Sequence, residues 1–157
     1  MQNIVASNLI LVITAAVLFY AALTDLKRYT IRNEVVLVLA LLFFVHAFVS
    51  GRWTSIAWNI GLSAVILVML IYFYSHKLVG GGDVKLLTVA LLWVGLDCAL
   101  PFAVLLLISA TIHTLAAKIG WADTQRLTGD DRRRIPFAPS IATALIGIFL
   151  LGCLRPV

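Results

Sequence analysis

The chain has 157 residues, of which 62% are apolar and 12% are charged, and its mean hydropathy is +1.07. An ordinary soluble domain is about 45–50% apolar and about 25% charged, so the composition excludes that class and indicates an integral membrane protein. The net charge of +5 would also suit nucleic acid, but in a membrane protein basic residues mainly mark the cytoplasmic side. We therefore expect the protein to contact membrane lipids and not to bind nucleic acid.

Six apolar runs follow one another along the chain. They cover Ile4 to Leu23, Val35 to Val49, Ile56 to Tyr74, Leu86 to Leu96, Cys98 to Ala117 and Phe137 to Leu154. A helix of about 20 apolar residues crosses the hydrocarbon core. The sequence therefore predicts an all-α polytopic membrane protein with about six transmembrane helices, in one domain over residues 1–157.

Basic residues are concentrated in alternate loops. Ten of the twelve are Lys27, Arg28, Arg32, Lys77, Lys85, Lys118, Arg126, Arg132, Arg133 and Arg134, and the other two are Arg52 and Arg155. Because Lys and Arg favour the cytoplasmic side, the three basic loops are predicted to lie there, with both termini outside. The expected location is the cytoplasmic (inner) membrane of a bacterium.

The fourth run is too short to span the membrane. Leu86 to Leu96 has 11 residues and rises only about 16 Å as a helix, against about 30 Å of hydrocarbon. The preceding segment, Gly80 to Lys85, should then be drawn below the cytoplasmic surface as irregular backbone beside a water-filled recess. Glycine would also let the backbone adopt positive φ or approach a bound peptide closely.

Two aspartates are predicted to share the cytoplasmic face, because Asp25 closes the first run and Asp83 precedes the fourth. Two carboxylates that share one proton can activate water and hydrogen-bond a developing oxyanion, which is the chemistry of an aspartic protease and needs no metal or other cofactor. Taken alone, Asp25 is better explained as an acidic cap beside Lys27 and Arg28 than as a catalytic residue. The three glycines alone fit a flexible hairpin between helices as well as they fit a site.

The other polar residues of the spans carry weaker signals. His46 and His113 lack ligand-spaced partners and are predicted to be hydrogen-bonded packing residues. Ser109 and Ser140 lack a basic partner at a recognisable spacing, so serine catalysis is not predicted. Cys98 and Cys153 stand alone, which predicts helix packing rather than a metal site or a disulfide.

Three segments resemble the motifs of type IV prepilin peptidases. The string Gly80-Gly81-Gly82-Asp83-Val84-Lys85-Leu86-Leu87 is similar to that family's GxGD motif. Asp25, with Ile31 and Asn33 following it, resembles the first motif, in which Ile-Pro-Asn begins six residues after the aspartate; here Arg32 replaces the proline. The segment Arg134-Ile135-Pro136-Phe137-Ala138-Pro139-Ser140 resembles the segment that opens the last helix.

The resemblance implies a GxGD aspartic endopeptidase in which Asp25 and Asp83 are catalytic. Gly80, Gly81 and Gly82 would shape the site, and Pro136 and Pro139 would support it. Because no cysteine-rich insert is present, the chain resembles the compact type associated with Flp pili and tight-adherence secretion. The implied partners are prepilin or pseudopilin substrates and pilus assembly machinery.

Lys85, two residues after Asp83, is expected either to pair with an acidic group of the mature pilin or to extend toward the lipid headgroups. Three alternatives to the prepilin peptidase remain open at this point: a preflagellin-type peptidase, an ion-coupled transport subunit, and a membrane assembly subunit without activity.

Overall fold

The structure is a computed structural model that describes residues 2–28, 31–51, 53–119, 125–126, 133–134 and 137–153. Its helices are α1 (Gln2–Arg28), α2 (Asn33–Ser50), α3 (Trp53–Ser75), α4 (Gly81–Val94), α5 (Ala99–Lys118) and α6 (Ala138–Leu150). Each of the six predicted runs forms one helix, which confirms the all-α membrane fold. A two-residue antiparallel pair, β1 (Gln125–Arg126) with β2 (Arg133–Arg134), lies between α5 and α6.

Four helices, α1, α2, α3 and α5, are long and apolar enough to cross a membrane. The other two are short, since α4 has 14 residues and α6 has 13. At 1.5 Å per residue each rises about 20 Å and falls roughly 10 Å short of the hydrocarbon thickness. The predicted short fourth helix is therefore confirmed, and the sixth is short as well.

The two short helices form the centre of the bundle together with α1 and α2. Helix α6 packs against α1, α4 and α5, and α4 packs against α2, α3 and α6. Ile141, Leu145 and Ile148 on α6 are fully buried, and so are Leu86 and Trp93 on α4. The outer helices α3 and α5 present large apolar side chains outward, as expected of helices that face lipid.

The expectation of irregular backbone over Gly80 to Lys85 is wrong. The helix begins at Gly81, and Gly80 is its N-cap residue with φ −73°. None of these three glycines has positive φ. Because Val84 and Leu86 are buried in the core, packing carries the first helical turn through a sequence of poor intrinsic helix propensity.

The opposite end of the bundle is fastened by polar contacts and a disulfide. Ser7 Oγ and His46 Nε2 lie 2.9 Å apart and join α1 to α2, and Asn59 Nδ2 donates to the Leu92 carbonyl of α4 at 3.1 Å. Gly95, which ends α4 with φ 63°, is closely approached by Asn59 and has no room for a side chain.

Cys98 and Cys153 form a disulfide, so the interpretation of unpaired packing cysteines is wrong. The bond links the α4–α5 turn to the segment after α6, with the Cα atoms 6.3 Å apart. It therefore holds the far ends of the two short helices at one level. A cavity beside it is lined by Phe43, His46, Asn59, Trp93, Asp97 and the two cysteines, among others.

Candidate functional site

The two aspartates singled out from the sequence lie at the same end of the bundle. Six residues after Asp25 comes Ile31, whose side chain lies against Gly82, directly before Asp83. Lys85 Nζ donates to Asn33 Oδ1 at 2.8 Å, so the start of α4 is also tied to the start of α2. The motifs that contain Asp25 and Asp83 are thus in contact with each other.

Asp25 is buried, with 5% of its surface exposed, and accepts a hydrogen bond from the Ala138 N–H at 3.2 Å. Among the first four residues of α6, Pro139 has no N–H, and Ser140 and Ile141 donate to the Phe137 carbonyl. The Ala138 N–H is therefore an unpaired donor of the helix end, where a carboxylate is also favoured by the helix dipole. Asp25 of α1 in effect caps α6.

Asp83 lies in the first turn of α4, partly exposed, with its carboxylate folded back over Gly80. A Cβ atom at position 80 would lie 2.9 Å from Asp83 Oδ2, which is closer than such atoms approach in proteins. Gly80 thus provides the space in which this carboxylate sits.

The other two glycines of the motif have different neighbours. A Cβ atom at Gly81 would lie 3.2 Å from the ring of Tyr74, and one at Gly82 would lie 3.4 Å from Ile31 carbons, an ordinary van der Waals contact. Only Gly80 of the three thus directly adjoins a carboxylate, a distinction that the motif alone does not make.

The helices that carry the two aspartates do not pack against each other. Helices α1 and α4 are separated by α2 and α6, and the Cα atoms of Asp25 and Asp83 are more than 8 Å apart.

Arg32, which stands where the resembling motif has proline, is the N-cap residue of α2 with φ −69° and ψ 136°. This φ lies within the range of proline, so the substitution preserves the backbone that the motif requires. The arginine instead forms an ion pair with Glu34. Because this pair is exposed to water, it changes the free energy of folding only slightly.

The start of α6 also makes contacts with α5 that the sequence pattern does not predict. Ser140 Oγ lies 3.0 Å from His113 Nδ1, so Ser140 does have a basic partner, contrary to expectation. The separation of 27 residues across two helices concealed it. Ser140 is fully buried, which suits a structural hydroxyl, and the prediction that His46 and His113 are hydrogen-bonded packing residues is confirmed.

Pro139 is buried in the first turn of α6, whereas Pro136 lies outside the described residues; the supporting role of both prolines stays a prediction. Within the described part of the chain, no group of three or more His, Cys, Asp or Glu residues could hold a metal ion.

Comparison with known protein families gives a match over most of the chain. The model of the type IV leader peptidase family matches residues 12–128 of the chain. No curated protein and no solved structure matches it significantly. The matched residues include both aspartates and the glycine motif, and end before α6.

The Asp25–Ala138 contact predicts how substitutions at position 25 affect stability. Asp25→Ala should lower the free energy of unfolding by about 1–3 kcal/mol, because it leaves a buried N–H without an acceptor. Asp25→Asn should cost less, since its amide oxygen can accept the same hydrogen bond. Thermal unfolding of the two purified variants in detergent checks this, and equal melting temperatures would contradict the capping role.

Proposed function

Since the chain belongs to the type IV leader peptidase family, we propose that it is a membrane aspartic endopeptidase that removes the short basic leader from Flp-type prepilins and pseudopilins. The family itself is one of peptidases, and the apolar helices are those of a membrane protein. The aspartic mechanism and the substrate are the proposed steps. The observation that carries them is the position of Asp25 and Asp83 at one end of the bundle, joined through the contacts between their motifs.

In the proposed reaction the substrate lies extended between the two carboxyl groups. One carboxylate is ionised and takes a proton from water as the water oxygen attacks the scissile carbonyl carbon. The other is protonated and donates a hydrogen bond to the carbonyl oxygen as it becomes negative. The C–N bond then breaks, and the leaving amine takes the proton that the first carboxylate removed from water. In this arrangement Asp25 is held by its hydrogen bond from the Ala138 N–H.

The proposed orientation places this end in the cytoplasm and both termini outside. Two independent features support it. The basic loops favour the cytoplasmic side, and the disulfide lies at the opposite end, where disulfides persist if that side is the oxidising periplasm. The short helices α4 and α6 would then begin below the cytoplasmic surface, where a leader joins the hydrophobic helix of a prepilin.

Co-expression of the chain with a Flp-type prepilin, followed by electrophoresis, tests the function. We expect a shortened product with the wild type, and none with Asp25→Asn or Asp83→Asn. Each variant should still insert in the membrane, because Asn keeps the shape and the Asp25 cap. Asp97→Asn, at the opposite end of the bundle, is the matched control and should cleave normally.

Cleavage by Asp25→Asn would support the alternative hypothesis, in which Asp25 is structural and serves only to cap α6. Cleavage of a preflagellin but not of the prepilin would indicate the preflagellin-type peptidase instead. Absence of cleavage by the wild type would support a transport or assembly subunit.

The glycine geometry predicts different effects for two similar substitutions. Gly80→Ala should lower the cleavage rate at least about tenfold, because its methyl group displaces the Asp83 carboxylate by a distance that matters for catalysis. Gly82→Ala meets only an ordinary contact and should cleave near the wild-type rate. Steady-state kinetics of the two purified variants, with melting temperatures measured alongside, check this; equal losses would refute the steric argument.

We propose Lys85 as a substrate contact that pairs with an acidic group in the mature part of the pilin. Its hydrogen-bond partner Asn33 is an uncharged side chain, and Lys85 itself is exposed. Lys85→Glu should raise KM about tenfold through charge repulsion. Asn33→Ala removes the same hydrogen bond but retains the charge, and should leave KM unchanged. A wild-type KM in Lys85→Glu excludes the contact.

A further inference from the structure

The start of α6 is held from two sides. On one side its Ala138 N–H donates to Asp25 Oδ2 at 3.2 Å. On the other side, two residues later, Ser140 is bound by α5 at both its side chain and its backbone. Ser140 Oγ lies 3.0 Å from His113 Nδ1, and the Ser140 carbonyl accepts from Ser109 Oγ at 3.0 Å.

The ring of His113 is itself fixed by its own helix. Its Nδ1 also lies 3.1 Å from the carbonyl oxygen of Ser109, one turn earlier on α5. Because a carbonyl oxygen can only accept, the Nδ1–H is shared between this oxygen and Ser140 Oγ. Because Ser109 and His113 are four residues apart, they lie on one face of α5, directed at Ser140. The side chain of Ser140 is fully buried, so water does not compete for these hydrogen bonds and they define one position for the first turn of α6.

We infer that His113 is a positioning residue for Asp25. Its hydrogen bond to Ser140 fixes the first turn of α6, and the first turn presents the Ala138 N–H that orients the Asp25 carboxylate. Helix α5 does not pack against α1, so His113 acts on Asp25 only through α6. This inference rests on the proposed function, in which the Asp25 carboxylate takes part in the chemical step.

The position of Nδ1 in the imidazole ring determines which substitutions of His113 can keep the hydrogen bond to Ser140. Asn carries its amide at the position of Nδ1 in the histidine ring, whereas Gln carries it at the position of Nε2. Since only Nδ1 contacts Ser140, His113→Asn should keep the hydrogen bond, and His113→Gln and His113→Leu should lose it. Ser140→Ala removes the same bond from the other side.

A stability control is available on the same pair of helices. Leu105 of α5 packs closely against Gly147, in the last turn of α6 and away from its first turn. Leu105→Ala should therefore weaken the α5–α6 packing without changing the position of the Ala138 N–H.

The test measures kcat, KM and melting temperature for each variant, purified in detergent, with a Flp-type prepilin as substrate. We expect kcat to fall about tenfold in His113→Leu, His113→Gln and Ser140→Ala with KM unchanged, because small displacements of a catalytic group slow the chemical step. His113→Asn and Leu105→Ala should keep kcat near the wild-type value, and the His113→Leu/Ser140→Ala double variant should be no slower than either single one.

The inference is overturned if His113→Leu and Ser140→Ala keep the wild-type kcat, if Gln restores kcat as well as Asn does, or if Leu105→Ala loses kcat to the same extent at a similar melting temperature. Asp25→Asn is assayed in parallel. If that variant cleaves the prepilin, the proposed function fails; if it is inactive while the His113 variants are unaffected, only the positioning role fails.

Discussion

The hydrogen bond from the Ala138 N–H to Asp25 Oδ2 is the contact on which the rest of the site depends. It joins the end of the first helix to the start of the last, 113 residues apart in sequence. A buried carboxylate needs donors, and the start of a helix has N–H groups without acceptors, so each satisfies the other. Asp25 thereby acquires a defined position, and the first turn of α6, with Pro139 and Ser140, becomes part of the surroundings of the candidate site.

The short length of α4 and α6 determines where that site lies. The disulfide between Cys98 and Cys153 holds their far ends level, and their lengths of 14 and 13 residues then place Asp83 and Ala138 at similar depth. Each of the two helices rises about 20 Å, roughly 10 Å less than the hydrocarbon thickness. Under the proposed function, the starts of these short helices would bring the two carboxylates and the Ala138 N–H to the depth where the first residues of a transmembrane substrate lie.

Much of this arrangement could be predicted from residue patterns. The six apolar runs located the helices, and the distribution of lysine and arginine assigned Asp25 and Asp83 to one end. Contacts between distant residues could not be predicted. Two isolated cysteines 55 residues apart resemble packing residues until the fold pairs them, and the same holds for His113 with Ser140. The short fourth run predicted irregular backbone before Asp83, but burial of Val84 and Leu86 extends the helix through glycines of poor helix propensity. The position of Pro136 and the predicted water-filled recess remain predictions.

A structure of the Asp83→Asn variant with a Flp-type prepilin bound tests the central claim most directly, because the variant should hold the substrate uncleaved. We expect the side chains of residues 25 and 83 to flank the scissile peptide bond, one on each side and within hydrogen-bonding distance of its carbonyl oxygen or of a water beside it. Asp25 should still accept the Ala138 N–H. A scissile bond that contacts residue 83 alone, with Asp25 buried against α6 and remote from the substrate, would contradict the two-carboxylate account.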